Sequence, residues 1–125
     1  MKLAVIGVGL IGGSFALALR EAGKVSRVIG AGRSRENLEF ARERRIIDEI
    51  APDAAAAARD ADLVLIAAPV AQFAELFAAL APSLGQQALL TDAGSTKRDV
   101  IAAARGALGK KIAQFVPAHP VRWHR

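Results

Sequence analysis

The sequence predicts a doubly wound α/β domain with a mostly parallel sheet and helices on both faces. Short apolar segments alternate with helical segments along the chain, as in folds whose parallel strands are joined by helices. A glycine-rich turn follows the first apolar segment and opens the first helix. The chain has 125 residues, of which 53% are apolar, so it can form one domain with a sizeable core.

The predicted strands are short, apolar and bounded by turn residues. Lys2–Gly7 has two β-branched residues and ends in glycine, which is typical of a buried parallel strand. Val25–Gly32 predicts a second strand, and Asp62–Pro69 predicts another that stops at its proline. The last two predicted strands are Gln86–Asp92 and Lys111–His119.

The segments between these strands carry helical signals. Leu10–Ala22 reads as an apolar helix that ends at Gly23. A polar helix begins after Ser34, which is suited to cap its N-terminus. Glu36 lies in the first turn, where a negative charge interacts favourably with the helix dipole. We expect right-handed connections throughout, because strands and helices alternate. The remaining predicted helices are Asp53–Arg59, Ala71–Leu80 and Lys97–Ala107.

Composition excludes several classes of site. The chain has no cysteine, so it can form neither a disulfide scaffold nor a thiolate metal site. Its net charge is +5, but the basic residues are scattered except in the tail and at Arg42, Arg44 and Arg45, where they complement a helix C-terminus. We therefore expect no nucleic-acid partner. His119 and His124 suggest no metal site either, because no third ligand lies near them in the sequence.

The N-terminal region could be mistaken for a signal peptide or a membrane span. Residues 3–19 carry no charge and follow Lys2. A continuous apolar helix would be broken by four glycines, so a strand, a glycine turn and a helix start explain this run better. We expect a soluble, cytoplasmic protein with no membrane association. The four glycines are Gly7, Gly9, Gly12 and Gly13.

The glycine turn GVGLIG, which begins at Gly7, matches the pattern G-x-G-x-x-G. Its position between a strand and a helix is the context of a Rossmann-type dinucleotide-binding fold. Gly7 permits the tight turn, Gly9 lets the backbone approach a pyrophosphate, and Gly12 lets the helix pack closely on the strand. The helix N-terminus at Leu10 and Ile11 supplies free N–H groups for phosphates. A purely structural strand–helix turn is the alternative interpretation.

The region after the second strand favours NADP as the cofactor, with NAD as the alternative. Folds that prefer NAD carry an acid about 20 residues beyond the glycine turn, whereas this position holds Gly32. Arg33 and Arg35 flank Ser34 there, and this donor set suits a 2′-phosphate. Alternatively, the serine only caps the helix and the arginines are solvated. Pro69 lies where strand ends face a cofactor crevice, or it merely ends a strand.

Four motifs resemble the prephenate and arogenate dehydrogenase family. GVGLIGGS at Gly7, the segments Ile46–Glu49 and Thr91–Lys97, and PAHP at Pro117–Pro120 occur in the family's order, and the likeness extends to Val121. This resemblance implies a cofactor domain followed by a helical domain that dimerises and completes the active site. It also implies oxidation and decarboxylation of a cyclohexadiene acid in tyrosine biosynthesis, with hydride passed to NAD or NADP.

The resemblance also implies roles for two residues in these motifs. His119 would take the proton of the substrate's ring hydroxyl as hydride leaves, a task that suits an imidazole with a near-neutral pKa. Ser95 would hydrogen-bond near the nicotinamide and the substrate hydroxyl. Judged from the residues alone, His119 could equally end a buried strand, and Ser95 could cap a helix. Lys97 matches the motif but could be a surface residue.

The last residues depart from the family's pattern. The family continues after the His-Pro pair with a small apolar residue and A-G-x-E, whereas this chain reads HPVRWHR. Trp123 is encoded only by TGG and a histidine codon begins with C, so a frame one base later places glycine there. The codons of Arg122, His124 and Arg125 allow alanine, threonine and glutamate around it. We therefore expect a nucleotide-binding domain at 1–121 and an out-of-frame tail at 122–125.

Other functions remain open at the level of sequence. One alternative is a non-catalytic NADP-binding module. The other is a NADP dehydrogenase of the β-hydroxyacid type, in which M-G would be expected in place of I-G-G-S in the glycine turn. The residues that separate prephenate from arogenate belong to the helical domain. Because that domain would be missing, we expect this chain to bind NADP(H) but to turn over little substrate.

Overall fold

The computed structural model describes residues 1–93 and 104–116, and its strands form one parallel sheet. The order across the sheet is β3-β2-β1-β4-β5-β6. The order therefore reverses between β1 and β4, which is where doubly wound folds bind their ligands. The strands are β1 (Lys2–Ile6), β2 (Arg27–Ala31), β3 (Glu49–Ile50), β4 (Leu63–Ile66), β5 (Leu89–Asp92) and β6 (Phe115–Val116).

Helices cover both faces of the sheet, and the predicted fold class is confirmed. Four α-helices have defined bounds, and residues 104–108 are also helical. Short 3₁₀ helices occupy Val70–Gln72, Ala81–Ser83 and Gly109–Gln114. The α-helices are α1 (Leu10–Glu21), α2 (Arg35–Glu43), α3 (Ala54–Ala58) and α4 (Phe73–Leu80).

Alternate residues of the central strand β1 supply two separate apolar layers. Leu3 and Val5 pack with residues of α1 and α2 on one face. Ala4 and Ile6 pack with residues of α3 and α4 on the other face. Since side chains of a strand alternate between faces, a strand buried on both sides must be apolar throughout. This requirement explains the continuous apolar run at the N-terminus.

An aromatic stack joins α4 to the edge strand β6. The rings of Phe73 and Phe77 meet edge to face with centroids 5.6 Å apart. Phe77 meets Phe115 in the same manner at 5.2 Å. These pairs stabilise the packing beyond the area that they bury. The aromatic stack therefore ties β6, which has only two residues, to the main core.

The structure differs from the predicted elements at both edges of the sheet. β3 was not predicted, because a strand of two residues has no periodicity to detect. It pairs through Glu49 and Ile50 with the end of β2. The predicted strand Lys111–His119 is wrong in its first part, where a 3₁₀ helix extends to Gln114 and only Phe115–Val116 is described as strand.

The uncharged N-terminal run consists of β1, the glycine turn and most of α1. It is therefore interrupted by a sharp change of direction. Within residues 1–93 and 104–116, no helix is long and apolar enough to cross a membrane.

Candidate functional site

A cavity of about 490 Å³ opens at the carboxyl ends of β1, β2 and β4. It lies at the point where the strand order reverses, as expected of a ligand site in a doubly wound sheet. One wall is the glycine turn after β1 together with the turn after β2. Residues of α4 and of the loop that joins β3 to α3 also line the cavity. We call this cavity the cofactor cleft.

The glycine turn is shaped by two close backbone approaches. Gly7 has a φ of +91°, and a Cβ atom built on it would lie 2.9 Å from the backbone nitrogen of Ala68. A Cβ on Gly12 would lie 2.6 Å from the carbonyl oxygen of Gly7 and 3.0 Å from Cγ1 of Val5. A side chain at either position would force the backbone apart. The structure therefore requires glycine for the tight turn and for helix–strand packing.

Gly9 has a different environment from its two neighbours in the pattern. It is the N-cap residue of α1, and no side chain caps this end. A Cβ on Gly9 would meet nothing within 4 Å, and Gly9 lines the cofactor cleft. The backbone can thus be approached closely by a ligand at the positive end of a 12-residue helix. Leu10 and Ile11 begin this helix, and the Ile11 side chain is exposed.

The turn after β2 brings Arg33 and Ser34 to the cofactor cleft. Ser34 caps α2, because its Oγ atom accepts a hydrogen bond from the backbone N–H of Asn37 at 3.2 Å. Its hydroxyl proton is consequently left to donate elsewhere. Within the described part of the chain, the Arg33 guanidinium takes part in no ion pair.

Arg35 lies outside this group. Its guanidinium pairs with Glu39 at 2.8 Å along α2, and Glu39 also pairs with Arg42 at 2.8 Å. Arg35 is not among the residues that line the cofactor cleft. Of the two arginines that flank Ser34 in the sequence, only Arg35 therefore has an ion-pair partner among the described residues.

A further glycine that was not predicted as a site residue supports the glycine turn. A Cβ on Gly30 would lie 2.8 Å from Cδ1 of Ile47 and 2.9 Å from Cγ2 of Val8. Gly30 therefore lets Val8 of the turn pack directly over β2. The signal in the sequence was a glycine inside a strand pattern, which indicates a close approach by another segment.

Part of the lining of the cofactor cleft is apolar and includes two carboxylates. The apolar residues lie on α2, on the loop before α3, at the first position of α3, and on α4. Asp53 and Glu75 add carboxylates to this lining. None of these residues was predicted as a site residue. The apolar lining residues are Leu38, Pro52, Ala54, Leu76 and Ala79.

The remaining predicted site residues divide into two groups. Pro69 follows β4 and lines the cofactor cleft. Ser95, Lys97 and His119 lie outside the described residues. Asp92, at the carboxyl end of β5, is buried and has an interaction partner. The described cleft is therefore built from the ends of β1 to β4.

This arrangement has the chemistry of a dinucleotide site. Backbone N–H groups and a helix dipole favour phosphate at Gly9. A guanidinium and a hydroxyl lie beyond β2, and both can donate to an anion. The apolar lining can accept a flat ring, and such a lining with a few fixed polar groups is typical of cofactor sites.

Comparison with known proteins gives a consistent picture. A family model described as "Prephenate dehydrogenase, nucleotide-binding domain" matches residues 15–122. Prephenate dehydrogenase from Bacillus subtilis (strain 168) is 38% identical over 116 residues, which are 92% of this chain and 31% of that protein. Prephenate dehydrogenase from Lactococcus lactis subsp. cremoris (strain MG1363) is 31% identical over 121 residues, which are 96% of this chain and 34% of that protein.

A solved structure shows the same fold. The crystal structure of prephenate dehydrogenase from A. aeolicus, in complex with hydroxyphenyl propionate and NAD+, has a TM-score of 0.84 and 31% identity to this chain. The match covers 97% of this chain and 42% of that one. This chain thus spans about a third of the length of the curated relatives that it matches. By sequence and by fold, it belongs to the prephenate dehydrogenase family of oxidoreductases, in the region of the family's nucleotide-binding domain.

Proposed function

We propose that this chain forms the cofactor-binding part of a NADP-dependent dehydrogenase that oxidises and decarboxylates prephenate or arogenate. The observation that supports this most strongly is the cofactor cleft at the reversal of strand order, with an open Gly9 at the start of α1. Membership of the prephenate dehydrogenase family supports the reaction. Tyrosine biosynthesis is the pathway that this reaction would serve.

The backbone of the glycine turn would hold the cofactor's pyrophosphate. Gly9 leaves open space where a side chain would obstruct the phosphates. The first turn of α1 offers N–H groups that no side chain caps, and the helix dipole favours negative charge there. The cofactor, when bound, accepts hydride from the substrate. The described residues of the chain bind and orient it.

Arg33 and Ser34 would select NADP by binding its 2′-phosphate. The guanidinium can donate two hydrogen bonds to a phosphate. The Ser34 hydroxyl accepts from Asn37 and so has its proton to donate. Gly32 provides no carboxylate that would bind a ribose 2′-hydroxyl and repel the phosphate. Arg35 could assist only by exchanging its ion pair with Glu39. NAD, which the A. aeolicus enzyme binds, is the competing cofactor.

The chemical step would depend on residues outside the described part. On the strength of the family motifs, we assign His119 as the group that takes the proton of the ring hydroxyl. Ser95 would hydrogen-bond near the nicotinamide and the same hydroxyl. A neutral imidazole is suited to accept this proton near neutral pH.

We propose that substrate turnover also depends on the part of the family's relatives that this chain does not span. The curated relatives that it matches are about three times as long. Catalysis needs groups that hold the substrate carboxylates against the cofactor. We therefore expect the 125-residue chain to bind NADP(H) and to turn over little prephenate or arogenate.

Equilibrium titration with NADPH and NADH tests the binding proposal. The reduced cofactors report binding by nicotinamide fluorescence, and calorimetry gives an independent dissociation constant. We expect tighter binding of NADPH. Failure to bind either dinucleotide would overturn the proposal, and tighter binding of NADH would overturn the assignment of NADP. Formation of NADPH from NADP+ with prephenate or arogenate, measured with the same chain, tests the expected low turnover.

A further inference from the structure

The lining of the cofactor cleft includes one carboxylate that is held in a fixed orientation. Asp53 lies on the loop between β3 and α3, beside Pro52 and Ala54 of the apolar lining. Its Oδ1 atom accepts a hydrogen bond of 2.8 Å from the backbone N–H of Ala56. This bond restricts the side chain, which has only two rotatable bonds. The position of the other oxygen, Oδ2, is thereby restricted as well.

The Oδ2 atom of Asp53 is available to a ligand. Within residues 1–93 and 104–116 it has no hydrogen-bond partner, and Asp53 takes part in no ion pair. An ionised carboxylate can only accept hydrogen bonds. The cleft therefore presents a fixed acceptor, and its lining also includes apolar side chains from α2 and α4.

A carboxylate in a cleft for an anionic dinucleotide would repel a nearby phosphate. It is favourable only beside a part of the ligand that donates hydrogen bonds. The purine ring of a nicotinamide dinucleotide is flat and largely apolar, and its 6-amino group is such a donor. The apolar residues Leu38, Leu76 and Ala79 in the cleft lining suit the ring, and Oδ2 of Asp53 suits the amino group.

We propose that Asp53 determines specificity for adenine by accepting a hydrogen bond from its 6-amino group, an inference that rests on the proposed dinucleotide function. Hypoxanthine carries a carbonyl oxygen at the same ring position. Facing that oxygen, the carboxylate has no proton to share, and the two acceptor groups repel each other. Because Asp53 is exposed in the structure, we expect the discrimination to come from this repulsion and from the loss of a hydrogen bond to a charged group.

Glu75 is the other carboxylate of the cleft and provides a matched comparison. It lies on the first turn of α4, is exposed as Asp53 is, and has a longer side chain. No described residue bonds to its carboxylate. A side chain with more rotatable bonds and no fixed oxygen contributes less to specificity, because its ordering costs entropy.

The test compares NADPH with its reduced nicotinamide hypoxanthine analogue, which differs only at the purine. The wild-type chain should bind NADPH at least about tenfold more tightly, as expected for a hydrogen bond to a charged group. Asp53→Asn keeps a residue that caps α3 well but can present an amino group in place of Oδ2. This variant should reduce the preference to about threefold or less, or reverse it. Glu75→Gln should keep the wild-type ratio of the dissociation constants for the two dinucleotides.

Several outcomes separate this inference from the proposed function. Binding of neither dinucleotide by the wild-type chain overturns the proposed function itself. Equal binding of both dinucleotides by the wild-type chain overturns the role of Asp53 alone, as does an unchanged ratio in Asp53→Asn. Loss of the ratio in Glu75→Gln instead assigns the recognition to Glu75 and overturns our choice. Asp53→Ser, which retains a cap but removes the carboxylate, serves if the asparagine variant does not fold.

Discussion

The carbonyl oxygen of Gly7 lies 2.6 Å from the place where a Cβ atom on Gly12 would stand. The oxygen belongs to the backbone and a Cβ atom is attached rigidly to it, so neither could move aside as the end of a flexible side chain would. The same site is bounded by Cγ1 of Val5 at 3.0 Å. Because residue 12 has no side chain, the start of α1 can pack directly against the glycine turn and β1.

Gly12→Ala should therefore lower both stability and dinucleotide affinity. Overpacking a filled site costs ~1–3 kcal/mol in the free energy of unfolding, and relief of the clash would displace Gly7. The measurement is urea denaturation followed by circular dichroism, together with NADPH titration. Gly13→Ala is the matched control, because its Cβ would make only an ordinary 3.7 Å contact with Ile46. Removing a helical glycine there should raise stability by ~0.5–1 kcal/mol. Equal effects of the two substitutions would contradict the packing argument.

Arg33→Ala should weaken NADPH binding and leave NADH binding nearly unchanged. Arg33 lines the cofactor cleft and has no ion-pair partner among the described residues. Loss of hydrogen bonds to a charged phosphate costs ~1.5–3 kcal/mol, so the dissociation constant for NADPH should rise about 10- to 100-fold. Arg35→Ala removes the neighbouring arginine, which is paired with Glu39, and should change this constant by less than about threefold. An equal loss in both variants would place the phosphate between the two arginines.

Gly32→Asp should shift the preference from NADPH towards NADH. The position tolerates a side chain, since a Cβ on Gly32 would meet its closest described neighbour, the Cα atom of Gly7, at 3.6 Å. A carboxylate there can accept a hydrogen bond from the 2′-hydroxyl of NAD and repels the 2′-phosphate of NADP. Dissociation constants of the variant for both cofactors give the preference directly. Gly32→Asn keeps the size without the charge and should produce a smaller shift. An unchanged preference in the aspartate variant would exclude this position from ribose recognition.

The fold class and the glycine turn could be predicted from the sequence, whereas the part of the cofactor cleft lined by Pro52 and Asp53 could not. A strand, a turn of three spaced glycines and a helix form one local pattern, which leaves little choice of geometry. Pro52 and Asp53 line the cleft only because β3 pairs with β2 and directs the loop inwards. A two-residue strand leaves no periodic signal, so the position of this loop depends on tertiary pairing.

The ion pair of Arg35 with Glu39 is a second feature that was not predicted from the sequence. Arg33 and Arg35 are the same type of residue and lie on either side of Ser34 in the sequence. Their roles diverge because α2 begins at Arg35 and carries Glu39 one turn further along the same face. Arg33 precedes the helix and is left beside the cofactor cleft. Arg33 and Arg35 are members of one sequence motif, but only Arg35 is part of the helix and is paired along it.

Asp48 should make the stability of the fold depend on pH in the acid range. Burial disfavours its charged form, but hydrogen bonds from Arg20 and from the backbone N–H of Val28, with the charges of Arg20 and Arg27, outweigh this and hold the pKa of Asp48 below its usual value. The lengths of these two hydrogen bonds are 2.8 Å each. A carboxyl whose pKa is lower in the folded state stabilises the fold above its unfolded pKa, and this contribution is lost as the pH falls through the folded pKa.

Asp48→Asn should accordingly destabilise the chain at pH 7 by ~1–2 kcal/mol, a charged hydrogen-bond contribution reduced for partial exposure. The difference from the wild type should narrow as the pH falls below the ordinary range of an aspartate. Urea denaturation at a series of pH values measures this difference. Glu49→Gln is the matched control, because its ion pair with Arg27 is longer, at 3.4 Å, and about half exposed. That control should cost less than ~0.5 kcal/mol at neutral pH. If the difference in the free energy of unfolding between wild type and Asp48→Asn stays constant down to strongly acid pH, the charge of Asp48 is excluded as its cause.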